Sequence, residues 1–160
     1  MKFAARGLLG IFSFFAVCLT VEARPANNGF GFGVSHIGNG QVPKLSVAWK
    51  NSQSTTLQAY TGFSNEAAAS NFSVGAEFQR NLFIEDNQDF YFYLGGGFDS
   101  NQVENGSGSL GYILESGAGS EIFLSGLPNL GLNFSGGFAL STGGGTRLQT
   151  RVGFGMHYYF

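Results

Sequence analysis

The stretch RLQTRVGFGMHYYF, residues 147–160, decides the fold. Leu148, Thr150, Val152, Phe154, Met156, Tyr158 and Phe160 share one parity. Arg147, Gln149, Arg151, Gly153, Gly155, His157 and Tyr159 share the other. A period of two is a β-strand with two unlike faces. One face is bulky and apolar, the other glycine-rich with a few polar groups, and the stretch finishes on an aromatic residue. In a water-soluble sandwich a terminal aromatic strand end frays into solvent, so the remainder of the chain must say what covers it.

Seven more segments repeat the pattern. GFGFGVSHI (29–37) sets Phe30, Phe32 and Val34 against Gly31, Gly33 and Ser35. VPKLSVAWK (42–50) sets Leu45, Val47 and Trp49 against Lys44, Ser46 and Ala48. TTLQAYTGF (55–63), NFSVGAEFQR (71–80), DFYFYLGGGF (89–98), SLGYILESGAGSEIFL (109–124) and NLGLNFSGGFAL (129–140) follow the same rule. Between them lie GNGQ (38–41), NSQS (51–54), SNEAAAS (64–70), IEDNQ (84–88), DSNQVENGSG (99–108), SGLP (125–128) and STGGGT (141–146), all rich in chain-reversing residues. The expectation is eight antiparallel strands in an all-β meander, in one domain and with no convincing helical period.

The thin face distinguishes two architectures. A soluble sandwich turns Lys, Glu, Thr and Arg outward from its core. Here the non-bulky face carries mostly Gly, Ser, Ala and Asn, with about one charge per strand, which suits a narrow interior. The bulky face then points outward, into lipid. An even strand number, alternation over roughly 9–11 residues and aromatic girdles are the marks of a transmembrane barrel. With the termini on the inner side, Trp49, Phe78, Phe90, Tyr158 and Phe160 fall near one rim. Phe63, Phe72, Phe98 and Phe138 fall near the other.

Composition agrees. The chain of 160 residues has 26 Gly, 18 Phe, 6 Tyr and 1 Trp but only 11% charged residues, and disordered chains lack such aromatic content. MKFAARGLLGIFSFFAVCLTVEA reads as a secretory signal: Lys2 and Arg6, then the apolar core of residues 7–20, then Val21 and Ala23 before a cut. Residues 1–23 are therefore expected to be removed after Ala23, or after Ala26, and residues 24–160 to form the barrel. Without Lys2, Arg6 and Glu22, the 8 basic and 10 acidic residues fall to six and nine. No basic patch remains for nucleic acid. The single cysteine, Cys18, lies in the leader, where Val17 before it disfavours lipidation, so no disulfide framework is expected.

The alternation that ends in Val152, Phe154, Met156, Tyr158 and Phe160 resembles the C-terminal signature of bacterial outer-membrane β-barrels. The eight-strand layout resembles the small group that includes the OmpX and OmpA membrane domains, though the loops are shorter than in its adhesive members. The resemblance implies an integral protein of the bacterial outer membrane and a last strand recognised by the barrel-assembly machinery. Outer-membrane lipid is the expected surrounding, and a monomer the expected state.

Eight strands enclose a lumen only wide enough for side chains, so inward charges must pair. Counting depth from the inner rim matches Arg151 with Glu115 and Lys44 with Glu77. The plain reading of this set is a structural plug; the alternative is a small ion-conducting channel through it. A third reading is a lipid-modifying enzyme, which needs a serine, a histidine and an acid together. Ser35 and His36 have opposite parity, and His157 lies near the inner rim, so no catalytic residue is assigned. LGGGF and TGGGT open no helix and are not phosphate loops. No cofactor or metal ligand set is expected.

Overall fold

In the computed structural model, residues 29–37, 43–66, 69–103, 108–142 and 145–160 are described. The leader, its cleavage site and Cys18 lie outside them. Eight strands follow in chain order: β1 (Gly29–Ile37), β2 (Lys44–Ser52), β3 (Thr55–Glu66), β4 (Ala69–Ile84), β5 (Gln88–Val103), β6 (Ser109–Leu124), β7 (Leu127–Ser141) and β8 (Arg147–Tyr159). Each pairs antiparallel with the next, and β8 returns to β1 to close the barrel. This is the expected eight-stranded antiparallel up-and-down transmembrane fold. Closure leaves no open sheet edge around the wall, the condition for strands to stand in lipid.

The seam shows how composition permits closure. Gly31 lies opposite Tyr159 and Gly33 opposite His157. A β-carbon on Gly31 would stand 2.8 Å from the Tyr159 ring, and one on Gly33 would collide with the Met156 carbonyl. The Phe160 amide adds a hydrogen bond to the Phe30 carbonyl at 2.9 Å.

Burial is inverted relative to a water-soluble protein. Phe160, Leu148 and Phe83 are 75%, 72% and 68% exposed, whereas Lys44, Glu115 and His157 are 4%, 2% and 1% exposed. The aromatic girdles sit where the connectivity puts them. At the rim with the tight turns, Phe30 stacks on Trp49 at 6.2 Å, and Phe160 meets Tyr158 at 5.3 Å. At the opposite rim, Phe98 and Tyr112 lie 5.2 Å apart.

Several strand ends differ from the sequence reading. SNEAAAS and DSNQVENGSG are expected as loops, yet β3 runs to Glu66, β4 starts at Ala69 and β5 runs to Val103. Ser70 pairs with Gln102, and Asn71 with Asn101. Backbone pairing between neighbouring strands overrides the turn preference of Asn and Ser once a ladder is already in register. β4, β5 and β6 thus reach 16 residues each, beyond the roughly 9–11 that a bilayer requires. β2 starts one residue after Pro43 instead of at Val42, since proline lacks the amide that a ladder needs. The β6–β7 turn is closed by Gly126 at φ 85°, a left-handed conformation suited to glycine.

Adjacent glycines on β7 test the two faces. A β-carbon on Gly137 would meet the Ser116 carbonyl and the Tyr93 hydroxyl at 2.2 and 2.6 Å; one on Gly136 meets nothing nearer than 3.9 Å. Gly137→Ala should lower barrel stability in a urea refolding titration by about 1–3 kcal/mol. Gly136→Ala should refold like the parent. Equal behaviour of the two would contradict the assignment of inner and outer faces.

Candidate functional site

The distinctive chemistry lies inside the barrel. Tyrosines lie over the lumen surface, and glycines opposite them on the neighbouring strand make room for them. A β-carbon on Gly75 would come within 2.5 Å of the Tyr60 hydroxyl, and one on Gly119 within 2.5 Å of the Tyr91 ring. Gly117 and Gly137 likewise accommodate the Tyr93 hydroxyl. Small residues on one strand thus fit large ones from the strand beside it.

Glu115 is the centre of the first cluster. Gly95 opposes it on β5 and Ala139 on β7, so small neighbours flank it on both sides. Arg151 lies on β8 opposite Gly137, and its guanidinium reaches across β7 to donate from Nη1 to Glu115 Oε2 at 2.9 Å. From the other side, Tyr60 reaches over Gly75 and donates to Glu115 Oε1 at 2.7 Å. Both carboxylate oxygens are thereby satisfied by charge-assisted or hydroxyl donors in a confined interior.

The structure therefore brings Arg151 and Glu115 together. It places Lys44 and Glu77 differently. Lys44 pairs in register with Gly62, which faces Ser73 and not Glu77 on β4. The Lys44 ammonium sits over the Tyr60 ring, 4.2 Å from its centroid, a cation–π contact. Glu77 Oε1 accepts from Gln79 Nε2 at 2.7 Å, and the same Gln79 amide nitrogen also donates to Gln58 at 3.1 Å. Depth counted along each strand neglects the stagger that barrel closure imposes between strands.

A second cluster, absent from the sequence-derived set, occupies the half of the lumen nearer the tight turns. Lys50 Nζ pairs with Glu121 Oε2 at 2.7 Å and lies 3.8 Å from Asp89. It is held between the Phe123 and Tyr159 rings, 4.4 Å from each centroid. Glu121 Oε1 accepts from the Tyr159 hydroxyl at 2.6 Å and from Asn133 Nδ2 at 3.1 Å. Gly131 gives the carboxylate room, since a β-carbon there would stand 2.4 Å from Oε1. Inward parity places Lys50, Glu121 and Tyr159 on the lumen face from the sequence alone. Their convergence depends on strands far apart in the chain.

His157 joins this cluster and bears on catalysis. Its Nε2 lies 2.8 Å from Ser46 Oγ, and its Nδ1 lies 3.1 Å from Asn133 Nδ2. The Asn133 side-chain oxygen accepts from Tyr91 at 3.2 Å, and its nitrogen donates to Glu121. With the amide nitrogen facing His157, the arrangement suits the tautomer in which Nδ1 accepts and Nε2 donates to Ser46. A histidine that activates serine must present a lone pair to the hydroxyl. In that tautomer it presents a proton. The Ser46–His157–Asn133 arrangement resembles a triad in composition but has the opposite polarity, with Ser46 and His157 both buried. The side chain of His36 lies outside the described residues. Among those described, no group of three or more His, Cys, Asp or Glu is placed to hold a metal ion.

The residues of the C-terminal signature all lie on the outer face. Val152, Met156, Tyr158 and Phe160 are exposed, and Phe154 packs against Phe134 at 5.2 Å.

Among solved structures, the chain is similar to the N-terminal β-barrel domain of OprF from Pseudomonas aeruginosa. The two share 12% identity over 84% of this chain and 98% of that one, with a TM-score of 0.54. A second similar structure is Ail, the attachment invasion locus protein of Yersinia pestis, at 15% identity over 83% of this chain and 95% of that one, with a TM-score of 0.44. No protein-family model matches the sequence, and no curated protein does. The likeness to the OprF domain is one of fold, an eight-stranded outer-membrane barrel.

The Arg151–Glu115 contact makes a quantitative test. Arg151→Met removes the cation bonded to Glu115 in a confined interior, a loss of up to about 3–5 kcal/mol when water is excluded and less where lumen water enters. Glu115→Gln keeps the acceptor for Tyr60 while removing the charge. The double variant should be markedly more resistant to thermal unfolding than the sum of the single losses predicts. Additive losses would show that the pair carries no coupling.

Proposed function

We propose that this protein is an integral outer-membrane β-barrel of a Gram-negative bacterium, without catalytic activity, serving a structural or surface-interaction role. The observation that carries the reading is the inversion of faces: large apolar side chains cover the outside and polar and charged groups fill the inside. Such an exterior is costly in water and matched to hydrocarbon. Outer-membrane lipid is then the solvent of the wall, and the outward row from Val152 to Phe160 is the element offered to the barrel-assembly machinery. Tight turns at the end where β1 starts and β8 finishes put that end in the periplasm, following the usual asymmetry of such barrels. The extended β3–β6 ends then rise on the outer side and provide the polar surface for contact with the surroundings.

Lumen side chains that meet from facing walls support a sealed interior. One observation favours a second reading, a small channel. Among the described inward charges that are buried or half-buried, Lys44, Lys50 and Arg151 are outnumbered by Glu77, Asp89, Asp99, Glu115 and Glu121, so an opened lumen would favour cations.

Two measurements test these readings. The mature chain should leave the membrane fraction only with detergent and migrate differently on gels before and after heating; recovery as a soluble periplasmic monomer would rule out the membrane reading. Reconstituted in a planar bilayer, it should add no stepwise conductance to that of the bare membrane. Reproducible cation-selective steps, altered by Arg151→Met, would establish the channel in place of the sealed barrel.

A further inference from the structure

The lipid-facing wall carries one charge among the described strand residues. Along β4 the outward parity runs Phe72, Val74, Ala76, Phe78 and then Arg80. The remaining described strand charges belong to the lumen parity. The register agrees with this side for Arg80: Thr55 opposes it on β3 and Phe92 on β5, both outward positions. Arg80 is exposed. It is also held in place. Its Nη1 donates to Thr55 Oγ1 at 3.0 Å. The next residue, Asn81, ties β4 to the β2–β3 turn twice: its amide donates to the Ser54 carbonyl at 2.9 Å, and its Nδ2 to the Gln53 carbonyl at 2.7 Å. No carboxylate of the described residues pairs with the Arg80 guanidinium.

Depth decides what that charge can meet. Phe72 stands in the girdle of the opposite rim, and Arg80 follows it by eight positions along β4. Eight steps of strand cover about 26 Å, or roughly 20 Å of depth at barrel tilt, against an apolar band about 25 Å tall. Arg80 therefore stands at the edge of that band, level with the girdle of the tight-turn rim. A charge in hydrocarbon is costly, and the cost falls toward the headgroups. The wall around it is apolar and exposed: Phe78 toward the midplane, Phe92 beside it on β5, Leu82 and Phe83 toward the turns. Thr55 uses one N–H of the planar guanidinium fork. The others match a phosphate, which accepts two parallel N–H bonds from an arginine.

Resting on the outer-membrane reading above, we propose that Arg80 and Thr55 hold the phosphate of an anionic glycerophospholipid in the leaflet at the tight-turn rim, with its acyl chains along Phe78 and Phe92. On that reading the leaflet is the periplasmic one. The Thr55 hydroxyl accepts from Arg80 and keeps its own proton to donate to the same phosphate. A headgroup with an ammonium of its own offers a partly neutralised phosphate, so the site favours phosphatidylglycerol over phosphatidylcholine. A carboxylate from a second copy of the chain is a poorer occupant, because the lipids around the barrel already present phosphate at that height.

Trp49, the only tryptophan of the chain, lies two strands from Arg80 on the same face and reports on lipid at this rim. The test places the full mature protein in phosphatidylcholine vesicles in which a fraction of the lipid is brominated in its acyl chains, and reads the quenching of Trp49 fluorescence. At equal fraction, brominated phosphatidylglycerol should quench as a lipid bound about fivefold more tightly than brominated phosphatidylcholine. Arg80→Gln should remove that preference. Arg147→Gln, the same loss of charge on the lumen parity at the opposite rim, should keep it. Heat-dependent gel migration of the same samples reports whether each barrel is folded. Equal quenching by the two lipids in the parent, a preference that survives in folded Arg80→Gln, or one that disappears equally in Arg147→Gln would each overturn the proposal. So would quenching set by protein density in place of lipid charge, which assigns Arg80 to a second copy. A barrel that inserts and folds with any of those results leaves the membrane reading standing. A mature chain that stays in solution without lipid or detergent would sink the membrane reading itself.

Discussion

The constraint on which this structure depends is the width of its interior. Eight strands closed on themselves leave a lumen about as wide as the side chains that fill it. Every inward position must then be small, or long and matched to a small neighbour or a polar partner. Glycine and tyrosine meet this condition together: Gly75 receives Tyr60, Gly119 receives Tyr91, and Gly117 and Gly137 receive Tyr93. Neither residue type would fill the lumen alone, because one leaves voids and the other overpacks.

The same narrowness governs the charges. A lone carboxylate facing the lumen would face a large desolvation cost, so Glu115 is reached from both sides, by Tyr60 and Arg151. Glu121 is reached by Lys50, Tyr159 and Asn133. Except for Asn133, which opposes Glu121 on the adjacent strand, these contacts join strands that are not neighbours in the sheet, and they tie the barrel through its interior as the backbone ladders tie it around its circumference. Ser46, His157 and Asn133 meet the same demand by hydrogen-bonding to one another in a row.

On the outside the constraint is different in kind. Lipid asks only that the backbone be paired and the side chains be apolar, and the wall tolerates local variation in bulk. Ser116, between Leu94 and Phe138 on the outer face, reflects that freedom, since a short side chain costs little where no packed core surrounds it. Beyond the girdles, even the demand for apolar side chains ends, and the β4–β5 ladder continues through Asn71 with Asn101 and Ser70 with Gln102.

Much of this was legible in the sequence. The strand count, the face that each alternating residue occupies and the positions of the aromatic rims follow from a period of two and the turn residues, because a strand has only two sides. Strand ends were less legible: Asn and Ser signal turns locally, but a ladder in register extends through them when the adjacent strand supplies hydrogen bonds. Within the lumen, the sequence determined that Lys44, Lys50, Glu115, Glu121 and Arg151 point inward. Which of them meet was decided only by the tertiary structure. Partner choice depends on the stagger between strands and on whether a glycine or alanine clears the path, as Gly137 and Ala139 do between Arg151 and Glu115, and no single strand's pattern contains either quantity.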